Sequence, residues 1–143
     1  MNVSLAEKGM TAVVRRAVEG STFGVIYPPE EKIPTLVVES FPALGRLAAL
    51  RFLEWVQENP GGLVSLPTGK TPEYFIYWVT RLLESWETKE TAADLENSGI
   101  DPSRKPNLKG LRFVQIDEFY PIPSDRENSF CSYVERFYLQ GFG

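Results

Sequence analysis

The 143-residue chain contains no histidine and a single cysteine, Cys131. Those absences exclude, within the chain, a histidine-assisted serine or cysteine nucleophile and a zinc site built from the usual nitrogen and sulfur ligands. One thiol cannot make an internal disulfide framework, so a reducing, cytoplasmic compartment is expected rather than secretion. There is no apolar run long enough to cross a bilayer and no basic start leading into a short apolar segment, so no membrane partner is expected. Lys and Arg number 15 against 19 Asp and Glu, a formal charge of −4, and no basic field exists to gather nucleic acid. Carboxylates, lysines and backbone amides are the chemistry that remains, and no metal or cofactor site is expected.

What is present is an ordinary globular composition, 43% hydrophobic and 13% aromatic, at a length that suits one core. Residues 1–34 read as an N-terminal extension, with "TAVVRRAV" as a strand or short helix and the pair Pro28-Pro29 as a turn. Residues 35–143 read as an α/β domain. "TLVVES", Thr35 to Ser40, is a β-branched run expected as a buried strand. In the helix that follows, Leu44, Leu47, Ala48, Phe52, Trp55 and Val56 recur at three- and four-residue steps. Ser40 caps its start, Pro42 suits its first turn, and Asn59-Pro60-Gly61 ends it.

"GLVSL", Gly62 to Leu66, is a second strand, and a second helix follows it with Tyr74, Phe75, Trp78, Val79 and Leu82 on one side. Residues 87–109 turn polar and read as a partly mobile surface connection with room for one short helix. "LRFVQI", Leu111 to Ile116, is a third strand, and "SFCSYVERFYL" a third helix. Strands alternating with helices predict a doubly wound, mostly parallel sheet with helices on both faces. Ligands of such sheets sit at the carboxyl ends of the strands, where the turn around Thr68 and Asp117 both fall.

"SLPTGKTPEY" and "VQIDEF" resemble the phosphate loop and acidic strand of an ATPase, but a count separates them. A P-loop requires glycine five positions before Gly69, and that position is Val64, inside the apolar strand. What remains is a tight turn at Thr68-Gly69-Lys70 and a helix N-terminus, whose free N–H groups and dipole suit one phosphoryl group. An ordinary helix-capping turn would use the same residues, and an Asp-Glu pair after a strand is often a turn and a cap. Taken together, the two segments point to a monophosphate cradle with a neighbouring carboxylate. Asp117, partly desolvated beside Ile116 and Phe119, would then take a proton from carbon.

The pair "SLPTGKTPEYFIYWV" and "FVQIDEFYPIPSDRENSFCSYV" resembles the glucosamine-6-phosphate deaminase/isomerase family, which is related to 6-phosphogluconolactonases, over Thr35 to about Leu139. The lactonases usually carry Arg after the Asp-Glu pair where this chain has Phe119, so the deaminase branch is closer. The resemblance implies a doubly wound α/β fold. It implies that Thr68, Gly69, Lys70 and Thr71 line a sugar-phosphate site and that Asp117 moves a proton between C2 and C1 of the open sugar. Glu118 matches the motif and is counted with the substrate-binding residues, without an assigned role. Ser129 matches the following S-Y segment and would cap its helix.

Two departures stand out. Lys70 occupies a position where relatives commonly have glycine. The family opens the sugar ring with a histidine and further acids downstream, which this chain lacks, so the chain corresponds to about the first half of the family's domain. A fragment of low activity is therefore expected, with a non-catalytic sugar-phosphate sensor or a lactonase-like hydrolase as alternatives. An incomplete sheet leaves an unpaired edge, so a homo-oligomer is expected.

Overall fold

A computed structural model describes residues 10–26 and 35–142. The Pro28-Pro29 turn lies outside them. Five α-helices and four short strands follow in the order α1 (Ala12–Gly20), β1 (Val25–Ile26), β2 (Thr35–Leu36), α2 (Phe41–Glu58), β3 (Leu63–Val64), α3 (Glu73–Glu84), α4 (Lys89–Asn97), β4 (Arg112–Phe113) and α5 (Phe130–Val134). A π-helical turn, Glu135–Leu139, continues α5.

Local capping explains where most helices begin. Thr11, Ser40, Thr88 and Ser129 each accept, through the side-chain oxygen, the N–H of the third residue beyond. Gly99, at φ +87°, ends α4 in a left-handed conformation that lets the N–H of Ile100 reach the Leu95 carbonyl at 2.9 Å.

The core is mainly helical. Ala49, Leu50, Leu53 and Val56 of α2 meet Val79 and Leu82 of α3, with Val13 of α1 and Leu95 of α4 completing the cluster. Here the structure corrects the apolar stripe expected on α2: Leu44 and Ala48 are exposed, and Ala49, Leu50 and Leu53 are buried. This helix is apolar on almost every side, so its sequence period does not single out a face; its neighbours do.

The segment expected as "TAVVRRAV" is helical, and Val13 lies in the same core as α2. Its N–H donates to Oε1 of the buried Glu54 at 3.1 Å, while Arg51 holds Oε2 at 3.1 Å. A carboxylate thus sits at the N-terminal, positive end of α1. The polar stretch 87–109 is likewise tied down. It contains the short helix α4, Leu95 and Ile100 are buried beside Trp86, and Arg46 pairs with Asp94 at 2.6 Å.

Sheet structure is sparser than expected. β3 and β4 pair in parallel, Leu63 opposite Arg112 and Val64 opposite Phe113. β2 does not join them; it pairs antiparallel with β1, Ile26 opposite Thr35. The expected strand at Thr35 to Ser40 therefore belongs to a local hairpin, since a β-branched run satisfies its backbone equally well with a nearby segment.

Val64 and Phe113 face the helices, Phe113 lying 5.7 Å from the Tyr138 ring. On the opposite face Leu63 and Val114 are exposed. Among the described residues, helices cover one face of the parallel pair and not both. No helix among them is long and apolar enough to cross a membrane.

Candidate active site

The parallel register brings the two sequence motifs to the same sheet end. Val114 donates its N–H to the Val64 carbonyl at 2.9 Å, and Ser65 Oγ donates to the Val114 carbonyl at 2.6 Å. Beyond these bonds the chain leaves β3 into the turn at Thr68, and leaves β4 toward Asp117. Adjacent parallel strands with this register place both segments at their carboxyl ends.

Gly69 adopts φ +84°, and a Cβ there would meet nothing within 4 Å. Backbone conformation, not crowding, selects glycine at this position. The N–H of Glu73 closes the turn on the Lys70 carbonyl at 3.3 Å. Among the described residues, the N–H groups of Thr68, Gly69, Lys70 and Thr71 donate to no protein acceptor. Pro72 precedes α3 and no side chain caps that helix. Among the described residues, four consecutive unpartnered amides therefore precede the uncapped positive end of a twelve-residue helix, an arrangement that favours a small anion. Gly69, Lys70 and Thr71 are exposed, so the turn is open to a ligand.

The carbonyls of the same turn are held from the other side. Tyr133 donates its hydroxyl to the Gly69 carbonyl at 2.8 Å, and Tyr138 donates to the Pro67 carbonyl at 2.5 Å. Burial, with Glu73 nearby, raises the Tyr133 pKa; burial, with Tyr133 nearby, raises that of Tyr138 further. Both phenols stay protonated at neutral pH and remain donors.

Glu118 has a role that the sequence did not reveal. Its carboxylate accepts the N–H of Phe119 at 3.0 Å, of Phe130 at 2.9 Å and of Cys131 at 2.8 Å, and so caps α5 from a distant segment. Desolvation pushes its pKa up, but these backbone bonds and Gln115 outweigh it, and the net shift is downward. Ser129 takes the next amide, that of Ser132, at 2.9 Å. The N-terminus of α5 is thus filled by protein groups, whereas that of α3 is open. The Glu118 carboxylate is thus engaged by backbone amides of Phe119, Phe130 and Cys131.

Asp117 is exposed, and its carbonyl accepts from the Gln115 side chain at 2.7 Å. Ile116 and Phe119, expected to desolvate it, are themselves 63% and 62% exposed. The expected burial is therefore corrected: β4 ends at Phe113, and residues 116–120 beyond it are exposed. No group of three or more His, Cys, Asp or Glu side chains gathers into a possible metal site among the described residues.

Thr68, Gly69, Lys70 and Thr71 thus lie together at the turn, with Asp117 and Glu118 at the end of the neighbouring strand. Sequence reasoning missed Tyr133, Tyr138 and Gly45. The tyrosines stand five apart, a spacing that does not share one side of an α-helix; the π turn, with more residues per revolution, brings them to the same loop. Gly45 lies where α2 crosses the first turn of α3: a Cβ there would overlap Tyr74 Cβ and lie 2.8 Å from the Tyr74 carbonyl carbon.

The architecture is α/β, with a parallel strand pair packed against helices. The chain superposes with a TM-score of 0.55 on a monomeric glucosamine-6-phosphate deaminase described as a missing link of the NagB superfamily. The identity is 22%, and the match covers 73% of this chain and 36% of that one. The likeness is one of fold. No family model matches the chain, and no curated protein does.

Proposed function

We propose that the chain is part of a sugar-phosphate aldose-ketose isomerase/deaminase domain, acting on a substrate such as glucosamine 6-phosphate. The observation that supports it most is the run of four unpartnered amides, Thr68 to Thr71, ahead of an uncapped helix and beside the strand that leads to Asp117. The amides and the Thr68 and Thr71 hydroxyls hold the phosphoryl group, and Lys70 adds a charge-assisted bond. With the sugar open, Asp117 takes the C2 proton and returns it to C1, so that the aldose amine becomes a ketose imine; water then releases ammonia. Because the chain spans 36% of its structural neighbour, ring opening falls to residues outside the motifs described.

Thermal unfolding tests the binding half of this reading. A ligand at 100 times its Kd adds about 2.7 kcal/mol of stability. For a domain of this size that raises Tm by roughly 10 °C. Glucosamine 6-phosphate is expected to do this and ATP with magnesium is not; stabilisation by ATP alone would sink the reading. Ammonia release from the sugar phosphate, lost in Asp117→Asn with binding intact, tests the chemistry.

A second reading is favoured by one observation, the exposure of Asp117. Under this reading the domain senses a sugar phosphate without turning it over. Binding without ammonia release from the natural protein selects it.

A further inference from the structure

The two tyrosines on the carbonyl side of the turn bear on how its amides are aimed. Across a trans peptide the C=O of one residue and the N–H of the next point in opposite directions. The Gly69 carbonyl shares its peptide group with the Lys70 N–H, and the Pro67 carbonyl shares its group with the Thr68 N–H. Both bonds are trans. Tyr133 draws the first carbonyl toward the C-terminal helix, and Tyr138 draws the second. The Lys70 and Thr68 N–H groups are thereby turned to the side away from that helix.

We propose that Tyr133 and Tyr138 are positioning residues that set the direction of two anion-binding amides, Tyr133 governing Lys70 and Tyr138 governing Thr68. This rests on the phosphate-binding reading above. The tyrosines touch no ligand; they act by holding the opposite ends of the peptide groups. The same helix is capped by Glu118, next to Asp117, so one element braces both halves of the site. Tyr138 is buried and closes on Phe113 and Phe142, which makes its hydroxyl a fixed point rather than a mobile one. Tyr133 is half-buried and packs on Phe137 at 4.6 Å between ring centres.

Amide NMR of the 15N-labelled chain, titrated first with inorganic phosphate and then with glucosamine 6-phosphate, tests this. In the wild type the Thr68 to Thr71 amide signals are expected to move with ligand. Tyr133→Phe should abolish the response of Lys70 and keep that of Thr68, and Tyr138→Phe the reverse. Each should weaken binding by about tenfold, the effect of misaligning one hydrogen bond to a charged group. This selectivity is a readout that general loosening would not give. Equal loss of both responses in both variants, or full retention in both, overturns the assignment while leaving the anion site standing. If the wild-type amides respond to neither ligand, the phosphate-binding reading falls and this inference with it. Should Tyr138→Phe fail to fold, Tyr133→Phe decides alone, by whether Lys70 loses its response and Thr68 keeps it.

Discussion

Gly45→Ala sets two effects of opposite sign against each other. In a helix interior alanine is favoured over glycine by about 1 kcal/mol, so propensity alone predicts a more stable protein. The structure predicts the reverse. A Cβ at position 45 would overlap Tyr74 Cβ and stand 2.8 Å from the Tyr74 carbonyl carbon and 3.0 Å from the Phe75 nitrogen. These are a Cβ and backbone atoms, which no rotamer change can move aside. Overpacking of this kind costs about 1–3 kcal/mol, and with backbone on both sides the upper part of that range applies. After the propensity gain is subtracted, a net loss of about 1–2 kcal/mol remains, or roughly 3–8 °C in Tm for a chain of this length. Relief comes by moving the first turn of α3 away from α2, which displaces the helix end at the candidate phosphate site. Phosphate affinity should then fall about two- to fivefold, the range of a helix N-terminus interacting with an anion. Thermal unfolding and phosphate titration of the folded variant measure the two effects. Gly99→Ala, crowded against Ala12 beside α1, is the control that should lose stability and keep affinity. A Tm equal to or above the wild type for Gly45→Ala would refute the close-approach argument.

Other perturbations probe separate parts of the structure. Glu54→Ala strands the buried Val13 N–H and should destabilise the protein by about 1–3 kcal/mol in urea unfolding, with amide exchange in α1 accelerating most. Glu118 carries a pH signature. Its folded pKa lies below the ordinary glutamate value of 4.5, so the unfolded chain holds the proton more tightly. Its contribution is complete above about pH 4.5 and fades as pH falls below that value, toward its folded pKa. The protection factors of the Phe130 and Cys131 amides, taken against the intrinsic exchange rate at each pH, should therefore fall on acidification through that window in the wild type, and should be low at all pH values in Glu118→Ala. Asp117→Asn should leave the thermal shift by glucosamine 6-phosphate unchanged, because the side chain makes no bond that supports the fold.

Much of the helical framework was legible because its signals are local. Ser40 followed by Pro42 starts α2, and Asn59 to Gly61 ends it, as capping chemistry predicts. The turn at Gly69 was legible too, since a glycine between a strand and a proline-led helix leaves few conformations. Other features depended on distant partners. Leu95 and Ile100 are scattered among charges, and only the buried cluster that they join shows that they belong to the core. The strand at Thr35 was assigned to the wrong neighbour because a short β-branched run records that it pairs, not with what.

By itself the sequence determined which groups were available: no imidazole, one thiol, carboxylates and a short glycine turn before a helix, together with the helix boundaries. Tertiary structure alone decided their employment. It opened the N-terminus of α3 and filled that of α5 with Glu118, left Asp117 in solvent, and brought one tyrosine from α5 and one from the π turn onto the carbonyls of the loop. The physical reason is that side-chain type and capping act over a few residues. Whether a backbone N–H or carbonyl is free or occupied depends on chain segments up to seventy-one positions away.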